Sequence, residues 1–272
     1  MKVQRARAIA LRQFYLIQGS FARVFPLFAW VAIDIVLWGF ITRYLNTVAG
    51  TKATSGPAFF TFSILGAVLL WDFMTRVMQG VTMAFFEDVW SRNFLNIFAT
   101  PLTTGEYLAG LVCSSIITSL IGLTVMLIVA TGAFGLSLLT YGLLLVPFVL
   151  VLFLFGIALG ITGTALVLRM GPAAEWFVWP IPAVVAPFAG VFYPIATMPG
   201  WMRAISHAVP ASYVFEGMRA IVAGKSVSGG LLTGGVGLAI LYLVLACWLF
   251  NRVYKHAVRT GLIARYSAET VS

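Results

Sequence analysis

Residues able to carry out soluble enzyme chemistry are few in this chain and lie far apart. The two histidines, His207 and His256, have no carboxylate or cysteine nearby at a spacing typical of metal ligands. Gly224-Lys225-Ser226 matches the end of a phosphate-binding loop, but the earlier glycine that this motif requires is replaced by Arg219. The sequence therefore predicts no metal site, no cofactor and no ATP binding in this chain.

Asp34, Asp72 and Arg76 lie inside apolar runs, where charge is costly. Asp34 falls near the middle of the first run, with Trp30 and Trp38 one turn to either side on the same helical face. A carboxylate at that depth costs roughly 2.5–3.5 kcal/mol, so it should face protein, water or a basic partner. Two roles stay open for Asp34: an acid that holds helices together, or a group on a substrate pathway. Asp72 and Arg76 are four residues apart in the second run, which favours a local ion pair.

The composition is that of a membrane protein. Apolar residues make up 61% of the 272 residues and charged residues 9%, where a soluble domain has about 45–50% and about 25%. Apolar runs near or above the roughly 18–20 residues needed to cross hydrocarbon predict an all-α polytopic membrane protein with six transmembrane helices. The runs cover residues 24–45, 58–81, 107–131, 141–168, 174–194 and 230–251.

The distribution of basic residues indicates how the spans are oriented. Six spans place both termini on one side, which then holds twelve Lys and Arg residues against five on the other. Since positive loops stay in the cytoplasm, both termini are predicted to be cytoplasmic. Topology accounts for the net charge of +9, so no nucleic acid partner is expected. The first run is too long for the core of a cleaved secretory signal.

Residues 1–23 predict an amphipathic helix in the membrane interface, separate from a transmembrane domain of residues 24–272. Arg5, Arg12 and Arg23 fall near whole helical turns apart, with Phe14 and Phe21 opposite them. Within the transmembrane domain, the longest inner loop covers residues 82–106. A cytoplasmic tail covers residues 252–272.

The fifth run and the segment after it are interrupted by prolines. Pro180, Pro182 and Pro187 fall within eight residues, so this run should face the protein interior or a pathway, not lipid. The segment GVFYPIATMPGWMRAISHAVPASYVFEGMR, residues 190–219, is rich in aromatic residues but holds three more prolines. It predicts two short helices that dip into the membrane from outside. We place this re-entrant helical hairpin at residues 195–225, between spans five and six.

Small residues inside the runs indicate where helices approach closely. Glycines four residues apart, Gly156 with Gly160 and Gly230 with Gly234, allow close packing within the chain or between copies. Cys113 and Cys247 also lie inside runs, where they act as small apolar residues.

Together, the order of these parts resembles an ABC-2 type permease, the membrane subunit of a bacterial ABC exporter. The resemblance covers nearly the whole chain. It is sharpest in EDVWSRNFLNIFATPLTTGEYLAG, residues 87–110, and in residues 190–219 with their FYP, MPGW, VPASY and EGMR elements. In this family the first segment resembles the coupling-helix loop that rests on the ATPase, and the second resembles the outer hairpin before the last span. The outer loops here are too short for an extracellular domain.

The resemblance implies a permease homodimer with two separately encoded ATPase subunits, which would hold ATP and Mg, in the lipid of the bacterial cytoplasmic (inner) membrane. Closure of the ATPases would move the coupling loop and open a pathway outward. Residues that match the coupling segment by position are Glu87, Asp88, Arg92, Thr100, Pro101 and Leu102. Residues that we predict to line the pathway are Trp30, Asp34, Trp38, Trp179, Phe188, Phe192 and Tyr193. Residues that define the hairpin are Pro194, Pro199, Trp201, Pro210, Tyr213, Glu216 and Arg219.

The predicted function is export of an amphipathic cargo such as a drug, a lipid or a lipid-linked glycan, by a chain that is not itself an enzyme. The alternative is an ATP-independent channel or proton-coupled carrier that uses Asp34 and Asp72. A membrane-embedded enzyme would need clustered carboxylates or histidines at the membrane surface, and the sequence lacks them. No motif identifies the cargo.

Overall fold

The computed structural model describes residues 3–18, 21–49, 61–91 and 94–262 of the chain. Every regular element within these ranges is helical. The α-helices are α1 (Val3–Gln18), α2 (Phe21–Ala49), α3 (Gly66–Trp90), α4 (Phe94–Phe98), α5 (Thr104–Phe134), α6 (Leu145–Met170), α7 (Glu175–Val178), α8 (Ile181–Ala189), α9 (Gly200–His207), α10 (Pro210–Val222) and α11 (Gly229–Arg259). Shorter 3-10 or π-helical turns occupy Thr61–Leu65, Leu138–Leu144, Pro172–Ala174 and Ile195–Thr197.

Four helical segments of the described chain are long and apolar enough to cross a membrane. They are Ser63–Trp90, Thr104–Phe134, Thr140–Met170 and Gly229–Arg259. These segments contain the third, fourth and sixth predicted runs and residues 63–81 of the second, so the chain is a multi-pass membrane protein. The first run lies in α2, a helix of 29 residues. The count of six spans is not confirmed and stays a prediction.

The fifth run forms two short helices in place of one long one. Glu175–Ala189 holds 15 residues, which at 1.5 Å per residue rise about 22 Å and fall short of the roughly 30 Å hydrocarbon core. The break falls at Trp179 and Pro180, and Gly190 ends α8 with a φ of 66° that favours glycine. Proline cannot donate the backbone hydrogen bond that a continuous helix needs, which explains the interruption.

α3 is the centre of the bundle and packs against α5 and α6. Gly156 and Gly160 face it: a Cβ at Gly156 would lie 2.7 Å from the Met74 carbonyl oxygen, and one at Gly160 would lie 2.9 Å from that of Met78. The predicted close approach is therefore confirmed for this pair, because only glycine leaves room for the neighbouring backbone.

The second glycine pair behaves differently. Gly234 packs on the Tyr213 ring, where a Cβ would come within 3.1 Å of the ring edge, whereas Gly230 faces open space. α11 makes its main contact with α6 and also touches α10. Within the described chain, Gly234 therefore allows a close helix contact, as predicted, and Gly230 does not.

Candidate functional site

α1 lies against the ends of α3 and α5 that border the loop between them. The Gln13 side-chain amide donates a buried hydrogen bond of 2.9 Å to the Ala84 carbonyl oxygen. Ile9 packs directly on Gly110: a Cβ added at Gly110 would lie only 2.6 Å from the Ile9 Cβ. α1 is therefore packed on the backbone of the bundle, and Phe14, on its other side, is exposed.

A buried ion pair joins the middle of α1 to the end of α3. The Arg12 guanidinium pairs with the Asp88 carboxylate, which is fully buried. The Tyr107 hydroxyl, from α5, donates to the other oxygen of Asp88 over 2.8 Å. Three helices thus meet at one carboxylate, and removal of either partner would leave a buried charge undercompensated.

A second contact joins the start of α1 to the end of the loop. Arg5 donates to the Pro101 carbonyl oxygen and lies 3.4 Å from a Glu106 carboxylate oxygen. Glu106 in turn accepts from the Thr103 amide at 3.1 Å, as part of a capping box that begins α5. We name Arg5, Arg12, Asp88, Glu106 and Tyr107 the α1 cluster.

Two further hydrogen bonds tie this end of the bundle together. The Thr104 hydroxyl donates to the Asn251 side-chain oxygen of α11 over 2.7 Å. The Trp90 ring nitrogen, at the end of α3, donates to Glu175 of α7 over 3.1 Å. The two helix ends that border the loop are therefore connected to α11 and to α7.

The residues predicted to couple to an ATPase occupy different environments. Asp88 is buried in the α1 cluster, Glu87 is half-buried, and Leu102 packs against the core. Thr100 and Pro101 are exposed. Arg92 lies outside the described residues. Sequence reasoning did not find Glu106, the partner of Arg5, or Tyr107, the partner of Asp88. The helical spacing of Arg5 and Arg12 places them on one face of α1, but this pattern is also typical of a helix at the membrane surface.

Asp34, Asp72 and Arg76, which lie inside two of the apolar runs, form one electrostatic group. The Asp34 carboxylate of α2 attracts the Arg76 guanidinium of α3. The Asp72 carboxylate also attracts Arg76, and it is repelled by Asp34. Arg76 also lies against α5, because a Cβ at Gly122 would approach its side chain to 3.1 Å. The local pair predicted for Asp72 and Arg76 is thus part of a cluster that spans two helices, with α5 beside it.

The predicted pathway aromatics are divided between two places. Trp38 stacks on Phe192 with ring centres 4.9 Å apart and planes 15° apart, which brings α2 against the turn after α8. Phe188 meets Trp201 edge to face at 6.3 Å, and the Tyr193 hydroxyl donates to the Pro187 carbonyl oxygen. Trp179 is exposed at the break between α7 and α8. The side chain of Trp30 lies outside the described part of the structure.

Two short helices, α9 and α10, occupy the segment predicted as a hairpin. Pro199 and Pro210 stand at their starts, where a missing amide hydrogen costs nothing. Pro194 precedes the 3-10 turn, and the Tyr213 hydroxyl donates to the His207 carbonyl oxygen. Prolines therefore set the boundaries of the short helices in this segment.

Glu216 connects the two ends of this segment. One of its carboxylate oxygens accepts from the Ile195 amide at 2.9 Å and from Arg219 at 2.8 Å. A charge-assisted pair of this kind fixes the 3-10 turn against α10.

Within the residues that the structure describes, no three side chains of His, Cys, Asp or Glu come together as metal ligands. The arrangement is one of packed helices, two charged clusters and a loop with an exposed edge. Such an arrangement can hold helices in register and transmit displacement between them.

Comparison with known proteins agrees with the resemblance found in the sequence. No curated protein matches the chain significantly. The family model described as ABC-2 type transporter matches residues 6–223. That range, which is well over half of the chain, contains most of α1, the loop, every residue of the two charged clusters except Arg5, and both short helices of the hairpin segment. The protein therefore belongs to the ABC-2 type transporter family, whose members are membrane permeases.

Proposed function

We propose that this chain is the permease subunit of an ABC exporter that moves an amphipathic cargo outward across the bacterial cytoplasmic membrane. Two copies would assemble as a homodimer with two separate ATPase subunits, which bind ATP and Mg. Family membership supports the permease role. The single structural observation that supports ATP-driven coupling is the way the loop between α3 and α5 is held.

The loop has one face on the bundle and one face exposed. Ile97 is buried, and the Phe98 ring packs on Tyr107 and Tyr254 with ring centres 5.0 Å and 4.9 Å away. Asn96 and Thr100 are exposed. A short helix of this kind can accept a partner subunit on its exposed face while its apolar face stays packed on the bundle.

Displacement of the loop would reach several helices at once. Arg5 of α1 is bound to Pro101 of the loop, and Arg12 is bound to Asp88 at the end of α3. Trp90 passes the same displacement to α7 through Glu175. Packed helices respond to such a push by shifting as units, so α1 would act as a brace across both ends of the loop.

The proposed topology follows from charge and from the broken helices. Both termini and the α3–α5 loop would lie in the cytoplasm, with six spans in total. α9 and α10 would form a re-entrant hairpin on the outer side. Two hydrogen bonds within the segment, from the Ile195 amide to the Glu216 carboxylate and from the Tyr213 hydroxyl to the His207 carbonyl oxygen, support a hairpin that can sit at membrane depth.

The test is ATPase activity in a reconstituted complex. The permease is co-expressed with the ATPase encoded beside it, and hydrolysis is measured in liposomes with and without the permease. Glu87→Lys on the loop side of α3 should abolish the permease-dependent part of the activity. Arg43→Glu, an exposed charge near the far end of α2, serves as the matched control and should leave it unchanged. Full stimulation by the Glu87→Lys complex would refute coupling through this loop.

The alternative is an ATP-independent channel or proton-coupled carrier, and the Asp34, Asp72 and Arg76 cluster is the observation that favours it. Purified permease alone, in liposomes with an imposed proton gradient, distinguishes the two functions. Cargo movement without any ATPase would support the carrier. Movement that requires both the ATPase and ATP would exclude it.

A further inference from the structure

α3 is buried on most of its surface but carries one partly exposed stripe. The residues that stay accessible recur three or four positions apart and so share one helical face. They include Asp72, Thr75, Arg76, Gln79, Met83 and Glu87. We name these six residues the α3 stripe.

The stripe collects most of the polar side chains of α3. The other two polar residues are accounted for: the Thr82 hydroxyl donates to the Met78 carbonyl oxygen of its own helix, and Asp88 belongs to the α1 cluster. Partly exposed charges are costly against lipid and are found facing a water-filled cavity or a polar partner. The stripe therefore faces a polar environment inside the membrane.

Polar atoms without partners converge on the same place. One carboxylate oxygen of Asp72 is buried and makes no hydrogen bond. Ser119 of α5 is 1% exposed, and its hydroxyl also makes none. Ser119 lies three residues before Gly122, which faces the Arg76 side chain, so the hydroxyl points toward α3 beside the stripe. Buried polar groups are normally paired with protein, water or a ligand, so these two atoms mark a place where such a partner would be stabilising.

The charges around the stripe decide which ligand fits. Asp72 on α3 and Asp34 on α2 are acidic, whereas Arg76 is the basic residue between them, so acids exceed bases by one in this group. One turn beyond Asp34, Trp38 adds an aromatic face stacked on Phe192. Carboxylates beside aromatic rings favour organic cations and disfavour anions.

We propose that the α3 stripe, together with Asp34, binds the positively charged head of an amphipathic organic cation during its passage. This inference rests on the proposed export function and names its cargo class. The apolar part of the cargo would lie against the surrounding helices. Asp34 and Asp72 would hold the positive charge, and Arg76 would limit the affinity so that the cargo can leave.

Binding of tetraphenylphosphonium tests the proposal. Its affinity is measured for the permease–ATPase complex in phosphatidylglycerol nanodiscs, with the equally large anion tetraphenylborate as the comparison and empty nanodiscs as the background. Asp72→Asn and Asp34→Asn should each weaken cation binding about tenfold or more, which corresponds to about 1.4 kcal/mol. Glu269→Gln removes an acid from the C-terminal tail and serves as the matched control, with no change expected.

Arg76→Gln gives a result of opposite sign. Removal of the positive charge should tighten tetraphenylphosphonium binding, whereas a merely structural role for the cluster would make every variant bind worse. Equal binding of the cation and the anion, or cation affinity unchanged in both aspartate variants, would overturn the proposal.

Cysteine accessibility keeps the proposal testable if a charge variant does not fold. Gln79→Cys, in a chain with Cys113 and Cys247 replaced by alanine, should react faster with a cationic thiosulfonate than with an anionic one. Tetraphenylphosphonium should protect it, and Val77→Cys, at a buried position of the same helix, should stay unreactive. An unreactive Gln79→Cys would mean that lipid or a second copy covers the stripe, and the proposal would fall.

The same preparations separate this inference from the proposed function. Permease-dependent ATPase activity without selective cation binding would reject the cargo class and leave the exporter. If no complex with the ATPase forms, cation binding is measured on the purified permease alone and still decides the inference.

Discussion

Replacement of Arg12 by methionine should detach α1 from the bundle without unfolding the rest. Arg12 pairs with Asp88, and among the described side chains only the Tyr107 hydroxyl still bonds to this carboxylate when the guanidinium is removed. Methionine retains an unbranched apolar stem, so the packing of the side chain is largely preserved and the change is mainly one of charge.

The magnitude follows from the burial of the two partners. Breaking a fully buried ion pair costs about 3–5 kcal/mol, and an exposed pair is worth about 0–1 kcal/mol. Asp88 is fully buried, but 27% of the Arg12 side chain is exposed. We therefore expect a loss of about 2 kcal/mol, which is an increase of about 30-fold in the opening of α1.

Hydrogen exchange of the α1 amides in nanodiscs measures this opening directly. Arg12→Met should accelerate exchange in α1 about 30-fold and leave α6 unchanged. Arg7→Met, at an exposed position of the same helix, is the matched control and should have little effect. The double variant Arg12→Met with Asp88→Asn should exchange no faster than Arg12→Met alone, because no uncompensated carboxylate remains.

Two results would refute this reasoning. Exchange in Arg12→Met equal to that in Arg7→Met would show that the ion pair contributes nothing to docking. Strictly additive effects of the Arg12 and Asp88 substitutions would show that the two residues act independently.

Two further predictions concern packing and the hairpin segment. Gly156→Val should lower the free energy of unfolding by about 1–3 kcal/mol or prevent folding, because its Cβ would lie 2.7 Å from the Met74 carbonyl oxygen. Gly132 faces open space, so Gly132→Val is the control and should be tolerated. Equal melting temperatures for the two variants would contradict the close contact at Gly156. Glu216→Ala should loosen the hairpin segment, because the Ile195 amide and the Arg219 guanidinium lose their acceptor. Limited proteolysis should then cut the variant faster than the wild type near Ile195. An unchanged cleavage rate would contradict the role of Glu216 in fixing the segment.

The sequence was sufficient for the class of protein and for its local structure. Apolar runs longer than a bilayer crossing dictate helices, because backbone groups in hydrocarbon must be satisfied within the segment. Proline positions predicted where the fifth run and the segment after it break, since proline removes a donor from the helix. The family resemblance, carried by residues 87–110 and 190–219, was confirmed by the family match over residues 6–223.

The structure alone determined which charged side chains meet. Periodicity gives the face of a helix on which Arg12 or Asp34 lies, but not the rotation of that helix relative to its neighbours. Arg12 thus faces Asp88, 76 residues away, although its stripe resembled a membrane-surface pattern. Asp34 joins Asp72 and Arg76 in one cluster, and of the second glycine pair only Gly234 touches another helix. Local propensity is set by neighbours in the chain, whereas these contacts depend on how whole helices pack around α3.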